Sequence, residues 1–318
     1  MYYKQLSREQ RYAIYLGIKE GKTKTAIARQ IECSVSTVSR EIKRNSNRHG
    51  RYIFKEACEL AKVRQERSVS NRRIQPYVLR MAISKLIEHN WSPQQISGWL
   101  RHNKGLRISH ERIYQEIRRD DTGQLCQHTR HKMKYRRHKW RHKATKATNI
   151  PDRVSIHDRP KEADGRRFGD WELDLIVGKG QRSALVTLTE RSTNYMLMAF
   201  VPNKKPATVA KKVWQILLPF KGHALKTITT DNGTEFALHK EIAKKLATTV
   251  YFADSYCSWQ KGAIENANKL IRQYFPKGTD FNLIMPNEIM KVQMEINARP
   301  RLKLNFDTPT NMFYKLYN

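Results

Sequence analysis

The sequence predicts an α/β domain in its second half, with helices packed on a mixed sheet, preceded by all-helical modules in its first half. Three observations carry that expectation. Two stretches before residue 120 place apolar residues at helical spacing behind helix-capping residues. From 167 to 252, short β-branched runs alternate with helical ones, the pattern of helices laid on a sheet. Charge divides the chain in the same way: residues 1–150 hold 35 Lys and Arg against 12 Asp and Glu, whereas 151–318 hold 26 against 17.

The whole chain of 318 residues carries a net charge of +32. So strong an imbalance repels itself unless it meets a polyanion, and DNA or RNA is the commonest one. No continuous apolar run approaches membrane-spanning length, and the opening "MYYKQLSREQ" lacks the apolar core of a signal peptide. The expectation is a cytoplasmic protein without a membrane partner. Cys33, Cys58, Cys126 and Cys257 are far apart with no C-x-x-C pair, which predicts reduced thiols rather than a disulfide framework.

Along the first half, "LSREQRYAIYLGIKEG" places Ser7 and Gln10 in capping-box spacing and stops at Gly21. In "TKTAIARQIECSVSTVSREIKRN", Ile27 and Ile31 face a core, Ala28 allows close helix approach, and Cys33–Ser34 forms the turn. Val35, Val38 and Ile42 then anchor a second helix. Its other face offers Ser36, Thr37, Ser39, Arg40, Lys43 and Arg44, hydroxyls and cations suited to a major groove. The turn position usually held by Gly is Glu32. A helix-turn-helix over residues 1–50 is followed by a helical connector at 51–75 and a second such module at 76–122. There Ser92, Pro93 and Gln95 open one helix, Gly105 marks a turn and Ser109 caps the next. Arg112, Gln115, Arg118 and Arg119 face outward. Residues 123–155 form a basic linker with Tyr135 and Trp140 interleaved, the composition of a polyelectrolyte-binding segment. Cys126, His128, His138 and His142 match no standard zinc spacing.

The last region, 156–318, opens with three strand-like segments, "RFGDWELDLIVGKG", "RSALVTLTER" and "TNYMLMAFVPN". A helix with Val209, Val213, Ile216 and Leu217 comes next, then the strand "LKTITTD", a second helix and the strand "TTVYF". That is a mixed sheet with packed helices, in the manner of ribonuclease H. Asn232-Gly233 would suit a hairpin, but "TEFALHKEIAKKL" continues at helical spacing. Asp231 therefore ends a strand that feeds a turn and a helix.

Asp174 sits between Leu173 and Leu175-Ile176-Val177, where an ionised carboxylate is costly unless a cation holds it. Asp170 and Glu172 share its side of the strand by the period of two, so spacing alone leaves open which of the three is buried. Farther on, a helix runs from Gly262 to Pro276 with Ile264, Ala267, Ile271 and Tyr274 on one face and Glu265, Lys269 and Arg272 on another. Glu265 between two cations would by itself be an ordinary solvated ion-pair stripe.

Asp174, Asp231 and Glu265, with 33 residues between the last two, resemble the Asp-Asp-Glu triad of transposases and retroviral-type integrases. The blocks "DWELDLIVG", "TTDNGTEF", "CSWQKGAIENANKLIRQYFPKGTDF" and "NARPRLKLNFDTPTNMF", in that order, resemble the bacterial transposases of the insertion sequence 30 family. The front helix-turn-helix resembles theirs too. Asp170 stands where that family usually has His, and Leu173 where it usually has Gly. The resemblance implies an integrase-type ribonuclease H-like core in which Asp174, rather than Glu172, joins Asp231 and Glu265 in holding two Mg²⁺ ions, with Mn²⁺ as a substitute. It further implies cleavage at terminal inverted repeats of double-stranded DNA and joining of the 3′ end to a target, without a covalent protein–DNA intermediate, by a homodimer or larger assembly. In that setting Lys269 and Arg272 become phosphate clamps and Asn266 and Asn268 positioning donors. Trp259 suits DNA packing or a core equally. The rivals are a regulator that binds DNA without catalysis and a nuclease that cuts without joining.

Overall fold

The computed structural model describes residues 5–72, 74–133, 150–255 and 257–318. Most of the basic run, including Tyr135, His138, Trp140 and His142, lies outside them. The chain divides into two compact units, Met1–Gln75 and Pro76–Asn318.

In the first unit, α1 (Arg8–Lys19), α2 (Lys24–Gln30), α3 (Val35–Asn45) and α4 (Phe54–Arg72) follow one another. Ser7 and Gln10 cap α1 reciprocally: the Gln10 N–H donates to Ser7 Oγ at 3.2 Å and the Ser7 N–H to Gln10 Oε1 at 2.9 Å. Thr23 and Ser34 cap α2 and α3 in turn. Ile14, Ile27, Ala28, Ile31 and Val38 close on Tyr52 and Ala57, so the start of the 51–75 segment shares this core. Gly17 is where α1 and α2 touch: a Cβ there would lie 2.6 Å from Ile27 Cγ1. Val35, expected as an anchor, is instead 42% exposed, because it is the first residue of α3 and the core does not reach back to that turn.

The turn between α2 and α3 passes through Glu32 at φ +53°, a left-handed conformation that costs a non-glycine residue about 1–2 kcal/mol. Its side chain is exposed. Glu32→Gly removes that cost against the extra freedom glycine gives the unfolded chain, about 0.5–1 kcal/mol. We expect a net gain of up to about 1 kcal/mol, read as a rise of a few degrees in the unfolding transition of this unit by calorimetry. A lower midpoint would show that the turn is not strained.

The second unit opens with α5 (Pro76–His89), α6 (Pro93–Lys104), α7 (His110–Arg119) and the short α8 (Gln124–Gln127). The Ser92–Gln95 capping box, Gly105 as a left-handed C-cap and the Ser109 cap all form. Ile96, Leu100, Ile113 and Ile117 are buried. Then come β1 (Val154–Ser155), β2 (Asp170–Val177), β3 (Ala184–Glu190) and β4 (Met196–Val201), followed by α9 (Pro206–Leu217), β5 (Thr227–Thr230), α10 (His239–Leu246) and β6 (Thr249–Phe252). Three helices finish the chain: α11 (Gly262–Tyr274), α12 (Pro286–Asn297) and α13 (Pro309–Tyr317).

The sheet order is β1-β6-β5-β2-β3-β4. β2, β3 and β4 form the antiparallel meander, while β5 and β6 join parallel to β2, giving the mixed ribonuclease H-like arrangement. The two-residue β1, paired parallel with β6, is too short to leave a periodic trace in sequence. One face of the sheet packs Trp171, Leu173, Val186 and Ile228 against α9, α10 and Phe313 of α13. The other packs Ile176, Leu185, Met196 and Met198 against α11 and α12. Period-two alternation thus sends Trp171, Leu173 and Leu175 to one side and Asp170, Glu172, Asp174 and Ile176 to the side covered by α11.

Candidate active site

β2 and β5 run parallel with Glu172 level with Thr229. Carried on by two residues, that register sets Asp174 level with Asp231 on neighbouring strands, both on the α11 side. Neighbouring strands lie about 4.8 Å apart, so two carboxylates placed this way must share a counter-charge. Lys261, immediately before α11, supplies one. Its ammonium is 3.0 Å from Asp231 Oδ2 and 3.6 Å from Asp174 Oδ1, and the residue is only 6% exposed. Burial pushes the Asp174 carboxyl above its ordinary range, Lys261 opposes that shift, and the nearby charge of Asp231 adds to it.

Asp231 follows the last residue of β5. Its Oδ1 accepts the Gly233 N–H at 3.1 Å, so the Asn232-Gly233 turn orients the carboxylate and leads on to α10, with no hairpin. Asn268, two turns along α11 from Lys261, donates its Nδ2 to Asp174 Oδ2 at 2.7 Å. Its Oδ1 is buried without a hydrogen-bond partner among the described residues. Glu265 lies three residues before Asn268 and four after Lys261, hence on the same flank of the helix. Its carboxylate turns to Lys269 at 2.9 Å, an exposed pair one helical turn long. Two of the three predicted acids are thus joined through Lys261, and the third stands on the adjoining helix surface. Among the described residues no three His, Cys, Asp or Glu side chains lie close enough to hold an ion together.

The two further acids of β2 have structural partners. Asp170, fully buried, takes a two-point pair from Arg167 at 2.7 and 3.0 Å and the Thr227 hydroxyl at 2.6 Å. Glu172 pairs with Arg191 at 3.0 Å and accepts the Ile264 N–H at 2.7 Å, tying the first turn of α11 to the sheet. Arg272 donates to the carbonyls of Val177 and Pro276, each at 3.2 Å, which braces α11 against the end of β2. Lys261 was not singled out in the sequence; its only mark there is a cation directly before the glycine that opens α11.

On α3, Ser36, Arg40, Lys43 and Arg44 are exposed, and Thr37 and Ser39 are half-buried. Arg40 bonds back to the Ser36 hydroxyl at 2.9 Å. On α7, Gln115 is exposed, while Arg112 pairs with Glu116 and Arg118 with Glu111, each at 2.8 Å on the helix surface. The Arg118 pair is exposed and the Arg112 pair half-buried; an exposed pair contributes little and exchanges readily for a phosphate. The four cysteines are free and half-buried, and no helix among the described residues is long and apolar enough to cross a membrane.

A family model described as a helix-turn-helix domain matches residues 2–45. The chain is 38% identical to the transposase for insertion sequence element IS4351 of Bacteroides fragilis, over 99% of this chain and 97% of that one. It is 34% identical to the transposase for insertion sequence element IS1086 of Cupriavidus metallidurans, over 96% and 93%. The transposase InsI for insertion sequence element IS30A of Escherichia coli K12 is 35% identical, over 96% of this chain and 82% of that one. The chain belongs to the insertion sequence 30 family of transposases. Its function class is transposase and its reaction class polynucleotidyl transfer. Among solved structures it is similar to the catalytic core of the BIV integrase, with a TM-score of 0.38 and 15% identity over 47% of this chain and 95% of that one.

Proposed function

We propose that this transposase binds the terminal inverted repeats of an insertion sequence through its helix-turn-helix modules, then cuts at those ends and joins the freed 3′ end to target DNA. Asp174, Asp231 and Glu265 are the residues assigned to hold divalent cations, with Mg²⁺ the natural ion. The observation that carries the reading is the Lys261 ammonium set between Asp174 and Asp231, which shows that these two carboxylates share one counter-charge, as they would in holding a divalent cation. The donor set fits a hard cation: carboxylate oxygens, and the unpartnered amide oxygen of Asn268 beside them. Mg²⁺ bound there would lower the pKa of a water or a 3′-hydroxyl and stabilise the leaving oxygen of an in-line displacement.

The chain's own residues prepare that chemistry. The parallel β2–β5 register aligns the two aspartates, Asn268 fixes the rotamer of Asp174, and the Gly233 N–H fixes that of Asp231. Glu172 and Arg191 hold the start of α11, the helix that carries Glu265, and to join the aspartates Glu265 would have to release Lys269. Freed from that pair, Lys269 is placed to meet a phosphate. Ser36, Thr37, Ser39, Arg40, Lys43 and Arg44 on α3, with Arg112, Gln115 and Arg118 on α7, are the assigned DNA contacts, and two end-binding copies at least are required to bring two ends together.

The test is an oligonucleotide strand-transfer assay with the element's own ends, run with Mg²⁺, with Mn²⁺ and with a chelator. We expect joined product with either ion and none with the chelator. Ends bound but neither cut nor joined in Mg²⁺ would mark a regulator, and ends cut but never joined a nuclease.

A further inference from the structure

An open cavity of about 220 Å³ lies beside α11, walled by Arg130, Arg301, Lys303, Asn194 and Asn266, with Ala263 and Ala267 at its floor. No Asp or Glu lines it. Elsewhere in this unit Arg167, Arg191, Lys261, Lys240 and Lys269 face carboxylates. Lys303 donates to the carbonyls of Gly165 and Arg191, with Glu190, Glu172 and Asp164 as its nearby acids. Arg301 donates to the Ile296 carbonyl at 3.1 Å, and its Nε is buried without a hydrogen-bond partner among the described residues. Arg130, at the cavity's mouth, makes no hydrogen bond or ion pair among the described residues. Behind them Arg299, 2% exposed, donates to neutral groups, the Gln273 amide oxygen at 3.1 Å and the Tyr274 hydroxyl at 2.6 Å, and its Nε is buried without a hydrogen-bond partner among the described residues.

A set of guanidinium groups that repel one another does not persist in a folded unit without something that repays the cost. Burial first, then Arg299 and Arg130, pull the Arg301 guanidinium down to about 9, yet it remains charged at pH 7. The walls are held in place. The loop from Arg301 to Asp307 is pinned by Phe306, whose ring occupies the space that a Cβ on Gly98 of α6 would need. The Gln273 amide of α11 donates to the carbonyl of His128, two residues before Arg130. The backbone that carries these cations is therefore set before any ligand arrives, which lowers the cost of ordering.

We infer that this cavity binds a phosphodiester of the DNA backbone, with Arg130 and Arg301 as the charged donors and Asn194 and Asn266 as neutral ones. Both asparagine side chains lack a hydrogen-bond partner among the described residues. The inference deepens the proposed strand-transfer reading, because Asn266 adjoins Glu265 on α11. A strand anchored here would run along that helix toward the acids, and the site would grip backbone without reading sequence.

The experiment uses the full-length chain and a labelled duplex, with affinity measured across a range of salt concentrations. Each phosphate contact contributes about 0.9 to the slope of log affinity against log salt. Arg130→Gln and Arg301→Gln are each expected to make the slope shallower, together by about 1, with affinity falling several-fold on element-end and unrelated duplexes alike. Arg301→Lys should restore most of the slope. Arg130 is exposed and unpaired, so Arg130→Gln tests the site even where Arg301→Gln impairs folding. Unchanged slopes in Arg130→Gln and in a folded Arg301→Gln overturn the inference, and so does a loss confined to one duplex sequence. Strand transfer by the wild type is scored separately: its absence would sink the catalytic reading, while slopes alone decide the cavity.

Discussion

Asp174→Asn, Asp231→Asn and Glu265→Gln are each expected to lower strand transfer about a thousandfold or more while leaving end binding and stability nearly unchanged. A thousandfold corresponds to about 4 kcal/mol of lost transition-state stabilisation, within what a metal-organising carboxylate supplies. The stability side follows from the site's electrostatics. Burial and the Asp231 charge both disfavour the ionised form of Asp174, so neutralising either aspartate relieves repulsion as it weakens the Lys261 pair. Glu265 forfeits only an exposed pair with Lys269, worth about 0.3–0.5 kcal/mol. Activity lost without stability lost is the signature of groups kept for chemistry rather than for folding. The measurement is paired: product formation on end-bearing oligonucleotides, and thermal unfolding of the same preparations. A variant that joins strands like the wild type removes that residue from the site. One that loses activity only by unfolding moves it to the scaffold.

Much of this was legible in the sequence because it rests on local rules. The Ser7–Gln10 and Ser92–Gln95 boxes, the Ser109 cap and Gly105 are read from spacing and form as read. The three-strand meander followed by helix, strand, helix and strand is legible from β-branched runs and turn residues, and the sheet follows it. The departure of Asp231 from the hairpin pattern was legible from the helical spacing after Gly233. What stayed hidden depends on partners distant in the chain. Asp170, Glu172 and Asp174 alternate identically along β2, yet Arg167 and Thr227 take the first, Arg191 and the Ile264 N–H the second, and Lys261 and Asn268 the third. Only the arrival of α11 separates the structural acids from the candidate ligand. Lys261 illustrates the same limit, since nothing local distinguishes it from Lys269. Glu32 shows the reverse: the turn forms with a residue that local preference disfavours, because packing of Ile27, Ile31 and Val38 fixes the helices on either side.

Arg191→Ala should destabilise the second unit by about 3–5 kcal/mol, the usual cost of removing one partner of a buried ion pair. Glu172 is 1% exposed, and without the guanidinium its carboxylate keeps the Ile264 N–H as its close donor and Lys261 as a weaker cation. Burial already raises its pKa above the ordinary 4.5 against the pull of Arg191, so the variant raises it further. An acid whose folded pKa exceeds its unfolded one costs stability as pH rises from the unfolded value through the folded one. Below both values the group is protonated in either state and the cost vanishes. The defect of Arg191→Ala relative to wild type should therefore be largest near neutrality and shrink toward pH 4.5, measured by denaturant unfolding at matched ionic strength. A defect of equal size at both pH values would assign the loss to the hydrogen bond with the Ala163 carbonyl rather than to the Glu172 charge. Because the Ile264 N–H opens α11, and Lys261 and Asn268 flank it, this variant should lose strand transfer together with stability. That coupling separates it from the neutralised acids: one set of residues holds the helix in place, and the other uses where it is held.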